Sequence, residues 1–376
     1  MERMGTYRSI AVALLLVFGL SCSRLARIKK ALTSPTAREQ YEQDYREDPA
    51  ALALWKSALE NALKDSIQIS LPYAEKGRFF VAEGTARNYG FHLKRGERLI
   101  LRIKKNLPEE LVFLDLYSKD STGTVKKILS SPYGVDSLVH EVQETGLYKV
   151  IVQPEISAYS LFELTITKKP IYRFPVATQG NQAVQSFWGA SRDGGRRSHE
   201  GVDIFAPRGT PVLAVTEAIV SSTANRGLGG KQVWLRDRKR KLSLYYAHLD
   251  SITIHSGRKV FPGDTLGLVG NTGNARTTPP HLHFSIYSGF RGALDPYPYI
   301  AKTKEAADVA IFPLKTDSVK VRAWANLRKG PSLNAEIVRQ AEPMDTIVQL
   351  GVTDDWVHGF SDGDHIFIHE SLVRDL

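Results

Sequence analysis

The chain has 376 residues, 42% of them hydrophobic, with a formal net charge of +10 and a single cysteine. That length leaves room for two to three domains with cores of their own, and a lone cysteine excludes an intramolecular disulfide framework. The positive balance suits polyanionic surroundings without naming one, and beyond the N-terminus nothing is long and apolar enough to span a bilayer.

Arg3 and Arg8 precede an apolar run from Ile10 to Leu20. About eleven residues is too short to cross a bilayer and right for a signal peptide, which residues 1–21 are expected to form. Cys22 follows at once, and Gly19-Leu20-Ser21-Cys22 resembles a lipobox. We therefore expect export, cleavage before Cys22 and lipid attachment to it, giving a membrane-anchored protein of the cell envelope. Ser23 is not the Asp that often retains such lipoproteins at an inner membrane, so the periplasmic side of an outer membrane is the expected place. An exported chain has little occasion to meet nucleic acid, and that class of partner is set aside. Residues 22–64 then read as a lipidated N-terminus and helical spacer. Asp48-Pro49 marks a helix start, and Leu52, Trp55, Leu59 and Leu63 follow at helical spacing.

Between residues 65 and 170 the pattern changes to period two. Leu99, Leu101 and Ile103 alternate with Ile100, Arg102 and Lys104, and similar runs recur at 111–117, 147–152 and 161–166. Several short strands of this kind predict a β-sandwich. Thr145-Gly146-Leu147-Tyr148, Pro154 and the aromatic strand that follows are similar to the pre-peptidase accessory domains of secreted bacterial enzymes.

Residues 178–302 carry the chemistry. Four stretches stand in order: His199-Glu200-Gly201-Val202-Asp203, Tyr246-Ala247-His248-Leu249, Gly270-Asn271-Thr272-Gly273 and His281-Leu282-His283-Phe284. A catalytic zinc takes three imidazole or carboxylate ligands and keeps one position open. The first and last stretches supply that number, and spare imidazoles remain. A straight strand would hold His199 and Asp203 roughly 13 Å apart, so the chain must bend between them, and Gly201 tolerates a bend. His281, His283, Ser285 and Tyr287 alternate with Leu282, Phe284 and Ile286, giving a strand with one polar face. Both rings of the pair could reach a metal, or one could stand beside it; spacing does not decide. His92, His140, His255, His358, His365 and His369 have no partner pattern and read as structural. Gly227-Leu228-Gly229-Gly230 reads as a turn that could also let backbone approach a peptide, and Arg236–Lys241 as a solvated hairpin loop.

Residues 185–300 resemble the lysostaphin-type zinc metallopeptidases, bacterial cell-wall endopeptidases. The resemblance rests on Gly194-Gly195-Arg196-Arg197-Ser198 leading into His199, on Ala206-Pro207-Arg208-Gly209-Thr210-Pro211-Val212, and on the three later stretches, with Gly263-Asp264 and Asp295-Pro296 in place. It implies that His199, Asp203 and His283 hold Zn2+ and that His281 and His248 handle protons and the transition state, with His281 favoured as base. It also implies that peptidoglycan is the partner and substrate. Three departures, Asn274–Pro280, Ser285 and Ala218, bear on specificity rather than on those five polar residues.

Residues 316–376, after a linker near 303–308, resemble a bacterial SH3-like domain through Asn326–Ser332, Trp356-Val357 and Ile366-Phe367-Ile368. There Trp356 is either a core residue or an exposed wall-binding anchor. The expected fold is thus mainly β and multidomain: a short helical segment, a β-sandwich, a β-rich peptidase domain and a small SH3-like barrel. The expected activity is zinc-dependent hydrolysis of peptidoglycan peptide cross-links. The alternative is a non-catalytic envelope lipoprotein of the same fold that binds the wall or activates other wall hydrolases.

Overall fold

The computed structural model describes residues 35–64, 67–80, 86–120, 122–289, 291–303, 314 and 316–376. The expected signal segment, Cys22 and most of the expected linker lie outside them. The described residues are mainly β. Along Glu97–Lys105, Leu99, Leu101 and Ile103 are buried while Arg102 and Lys104 face solvent, as the period-two pattern requires. This strand pairs antiparallel with Ser137–Glu141 and Leu161–Pro170, and the latter pairs with Tyr73–Arg78. A second sheet, built from Arg87–Leu93, Gly146–Pro154, Val112–Lys119 and Val125–Ser130 with Ile67–Gln68 at its edge, faces the first. Tyr89, Leu116 and Val150 meet Leu99, Leu101 and Leu164 in one core between them.

The Pro49–Lys64 helix begins at Asp48, whose Oδ1 accepts from the amides of Ala50 and Ala51 at 2.9 and 3.1 Å. Trp55 donates its Nε1–H to the Pro154 carbonyl at 2.8 Å and packs edge-on against Phe113. Arg38, from the preceding Ala37–Asp44 helix, pairs with buried Asp115 at 2.6 Å. Both helices therefore lie on the outer face of the second sheet instead of reaching away from it.

Residues 316–376 do not stand apart. Their strands close on a core of Val319, Leu327, Ile347, Val357, Ile366 and Ile368. One of them, Thr346–Thr353, also pairs with Tyr73–Arg78 through Lys76↔Val352 and Gly77↔Gly351, so the first sheet of the sandwich continues into this unit. Beneath the joint, Arg87 Nη1 meets Glu75 Oε1 at 2.8 Å, and His358 Nδ1 lies 3.1 Å from both Glu75 oxygens, all three side chains at most 1% exposed. A Cβ on Gly351 would fall 2.5 Å from Glu75 Oε1, so the close approach of the strands needs glycine there. Trp356 is buried and joins the sandwich core beside Phe367.

Between Val184 and Leu294 the chain builds a separate sheet. Its central strand, His281–Ser288, runs antiparallel to Val202–Phe205 on one side and Leu242–Ile252 on the other. Leu282, Phe284 and Ile286 are fully buried in its core, which turns the alternate residues His281, His283, Ser285 and Tyr287 to the opposite face. The Arg236–Lys241 run is only partly a solvated loop. Arg240 forks onto Glu141 of the sandwich at 2.8 and 2.9 Å and holds Asp237 at 3.0 Å, while Arg291 pairs with Glu144 at 2.6 and 3.0 Å.

Candidate metal centre

Strand pairing sets two of the three candidate ligands directly opposite one another. Asp203 and His283 are register partners, as are Phe205 and His281 one pleat further on. His199 arrives from outside the strand: the chain bends at Gly201 before Val202–Phe205 begins. Glycine is required there for room. A Cβ would stand 2.6 Å from Ser285 Oγ and 2.7 Å from both His283 Cε1 and the Phe284 carbonyl. The bend brings His199 Nε2 to 3.1 Å from Asp203 Oδ1 and 3.0 Å from His283 Nδ1, and His283 Nδ1 to 2.9 Å from the same Oδ1.

The supports of these rings bear on which atoms are free. A carbonyl can only accept, so the Phe187 carbonyl, 3.0 Å from His199 Nδ1, places the proton there and leaves Nε2 with its lone pair. Ser285 Oγ, fully buried and 2.9 Å from His283 Nε2, can take that ring's proton and leave Nδ1 for the centre. Three lone-pair donors then crowd within about a hydrogen-bond length, an arrangement that is costly unless a cation sits among them. Bonds of about 2.0–2.1 Å in a tetrahedron would place ligand atoms roughly 3.3 Å apart, close to the observed separations. Burial opposes ionisation of Asp203, yet its contacts with His199 and His283 hold the carboxyl well below the usual carboxylate range. Burial pushes His283 down despite the opposing pull of Asp203, which favours the neutral ring that a metal needs.

His248 and His281 stand beside this triad. The His248 ring centroid is 5.8 Å from that of His283 and 5.1 Å from that of His281. His248 Nδ1 donates to the Thr272 carbonyl at 2.9 Å, and His281 Nδ1 to the Pro279 carbonyl at 2.9 Å, so in the neutral form of each ring the lone pair is on Nε2. Burial first, and the neighbouring His283 and His281 next, lower the pKa of His248 to about 4. Its backbone is left-handed, with φ of 64°, an uncommon state for a non-glycine residue and one that recurs at functional sites. The two glycine-bearing loops account for its surroundings. Gly273 lies so near the Leu228 carbonyl that a Cβ would approach it to 2.2 Å, while Thr272 Oγ1 accepts from the Lys231 amide at 2.9 Å. Gly227–Gly230 is thus a turn and also one wall of the cleft, since Leu228 and Gly229 line it.

The five polar residues open on a cleft of about 700 Å³, flanked by Arg192 and Glu200 on one side and by Asn274 and Thr278 on the other. His199, Asp203 and His283 are the group able to hold a metal ion among the described residues. Sequence reasoning singled out all five but missed their supports. Ser285 registered as a member of the polar strand face and as a departure from a pattern, but not as the partner of His283 Nε2. Ser186 and Arg192 gave no periodic signal at all. Of the histidines read as structural, His358 is fully buried against Glu75 and meets His365 at 3.1 Å, far from this cleft in the fold.

Residues 197–296 match the model of Peptidase family M23. The chain is similar to the L-Ala–D-Glu endopeptidase of Bacillus subtilis, 35% identical over 140 residues that cover 34% of this chain and 43% of that protein. It is also similar to lysostaphin of Staphylococcus staphylolyticus, 30% identical over 165 residues, 41% of this chain and 34% of that one. Among solved structures, the catalytic domain of lysostaphin from Staphylococcus simulans aligns at 32% identity with a TM-score of 0.26, over 30% of this chain and 87% of that one. The chain spans less than half the length of these curated relatives.

Proposed function

We propose that this protein is a zinc-dependent endopeptidase that hydrolyses peptide cross-links of peptidoglycan. The observation that carries the proposal is the convergence of His199 Nε2, Asp203 Oδ1 and His283 Nδ1 beside two imidazoles whose Nδ1 protons are already committed. A two-His, one-carboxylate set suits a catalytic zinc, which when bound polarises a carbonyl and makes water nucleophilic near neutral pH. The remaining work falls to the chain. The unprotonated Nε2 of His281 is placed to accept a proton. His248, whose lowered pKa makes it a weak base, is suited to hydrogen-bond the oxyanion or to return a proton to the leaving amine once charged. The half-open cleft leaves space for an extended peptide between its two walls.

The descriptions of the relatives, one an L-Ala–D-Glu endopeptidase and the other the antimicrobial peptidase lysostaphin, support peptidoglycan as the substrate. Retention of all three candidate ligands and both flanking imidazoles disfavours the alternative of a non-catalytic envelope lipoprotein. Export and lipid attachment at Cys22, with residence at an outer membrane facing the periplasm, complete the proposal, and residues 316–376 are proposed as an SH3-like unit. Incubation of the purified full chain with intact sacculi should release new muropeptides identifiable by mass spectrometry. A chelator should abolish that release and Zn2+ should restore it. Absence of both bound divalent metal and product would overturn the proposal.

A further inference from the structure

Arg192 is the polar residue nearest the triad to which no role has yet been given. It sits on a two-stranded hairpin, Ser191–Arg192 paired with Arg197–Ser198, outside the main sheet. Gly194 and Gly195, with φ of 67° and 94°, make the turn that β-carbons would strain. The hairpin delivers the guanidinium to the outer side of the centre. Arg192 Nη2 donates to Asp203 Oδ2 at 2.6 Å and to Ser186 Oγ at 2.5 Å. Ser186 Oγ in turn lies 3.1 Å from His199 Nδ1, next to the Phe187 carbonyl that also holds that ring. One guanidinium nitrogen therefore touches one candidate ligand directly and the support of a second. Asp203 is divided between its neighbours: Oδ1 faces both ring nitrogens and Oδ2 is taken by Arg192.

We propose that Arg192 is a positioning residue for this centre: by holding Asp203 Oδ2 and Ser186 Oγ together, it limits Asp203 to one oxygen for the metal and locks the orientation of His199. The proposal rests on the reading of His199, Asp203 and His283 as metal ligands. It also fixes the sign of a competition. A guanidinium beside a dication repels it, so on charge alone Arg192 would weaken metal binding. Orientation by groups behind the ligands works the other way and typically accounts for about 10- to 100-fold in affinity.

The experiment uses the purified full chain, its Arg192→Gln and Arg192→Lys variants, and Asp203→Ala as the metal-free control. Zn2+ affinity is read by competition with a chromophoric chelator, the ligand field by the visible absorption of the Co2+-substituted protein, and folding by circular dichroism and thermal melting. Arg192→Gln should bind Zn2+ roughly 10- to 100-fold more weakly and shift the Co2+ bands, with melting of the metal-free protein unchanged. Arg192→Lys, which keeps the charge but has a single point of donation, should recover part of the affinity. Equal or tighter Zn2+ binding by Arg192→Gln, with unaltered Co2+ bands, overturns the positioning role while the wild-type metal reading stands. A wild type that binds neither ion overturns both.

Discussion

His248 and His281 both commit Nδ1 to a backbone carbonyl by different local means, one in a glycine-bearing loop and the other at Pro279 just ahead of its own strand. Neither ring nitrogen is within the set that converges on Asp203, so their loss should spare metal binding. For His248→Ala and His281→Ala we predict retained zinc by metal analysis and turnover on sacculi lowered by about 10²- to 10⁴-fold each. Loss of zinc from the His281 variant would show instead that both rings of the His281–His283 pair ligate it. The same logic explains why Ser285 matters in the second rank. A neutral imidazole has one proton, and a hydroxyl able to accept it at Nε2 is compatible with Nδ1 facing the candidate ligand set.

At the scale of elements, the most consequential contact is the pairing of Tyr73–Arg78 with Thr346–Thr353 over a buried charge cluster. Burial of Glu75 opposes its ionisation, but His358 and then Arg87 outweigh it and bring the carboxyl down to about 2 from an ordinary 4.5. A carboxylate with a depressed pKa in the folded state contributes stability above its unfolded pKa and loses it as pH falls through the folded one. The contribution of Glu75 should therefore be complete above pH 4.5 and disappear between there and about 2. Glu75→Gln should melt about 3–5 kcal/mol lower in stability at neutral pH, because Arg87 is left buried without its counter-charge. It should also show a shallower loss of stability between pH 4.5 and 2 than the wild type in denaturant titrations. An acid limb of the same steepness in both proteins would refute the assignment.

For the whole molecule, the C-terminal unit and the sandwich share a sheet, and the sandwich grips the sheet that carries Asp203 and His283 through Glu141–Arg240 and Glu144–Arg291. A chain ending at Thr303 would leave Tyr73–Arg78 as an open edge and strip Arg87 of its bond to the Leu350 carbonyl, observed at 3.0 Å. We predict that this truncation lowers the melting temperature by about 10 °C and promotes aggregation detectable by light scattering. A truncated protein as stable and monodisperse as the full chain would mean that the shared sheet adds nothing to the sandwich.

Much of this was legible in the sequence because it depends on local periodicity. Alternation along 99–103 and 281–287 dictates which side chains face a core, whatever the partner strand is. Asp48 marks the helix start because its side chain can satisfy amides two and three residues on. The five polar residues of the site declared themselves as types suited to zinc chemistry, and Gly201 as the place where the chain turns. What only the tertiary structure decided is everything that depends on register and on contacts between distant segments. Spacing left open whether His281 or His283 joins the triad; the pairing of Asp203 with His283 brings His283 Nδ1 against it and leaves His281 opposite Phe205. The charged run at 236–241 read as a solvated hairpin loop, yet its Arg240 forks onto Glu141, because the sandwich lies within its reach. Trp356 could not be told from a surface anchor until it packed into a core that includes Tyr73, far earlier in the chain, a separation that no local pattern can encode.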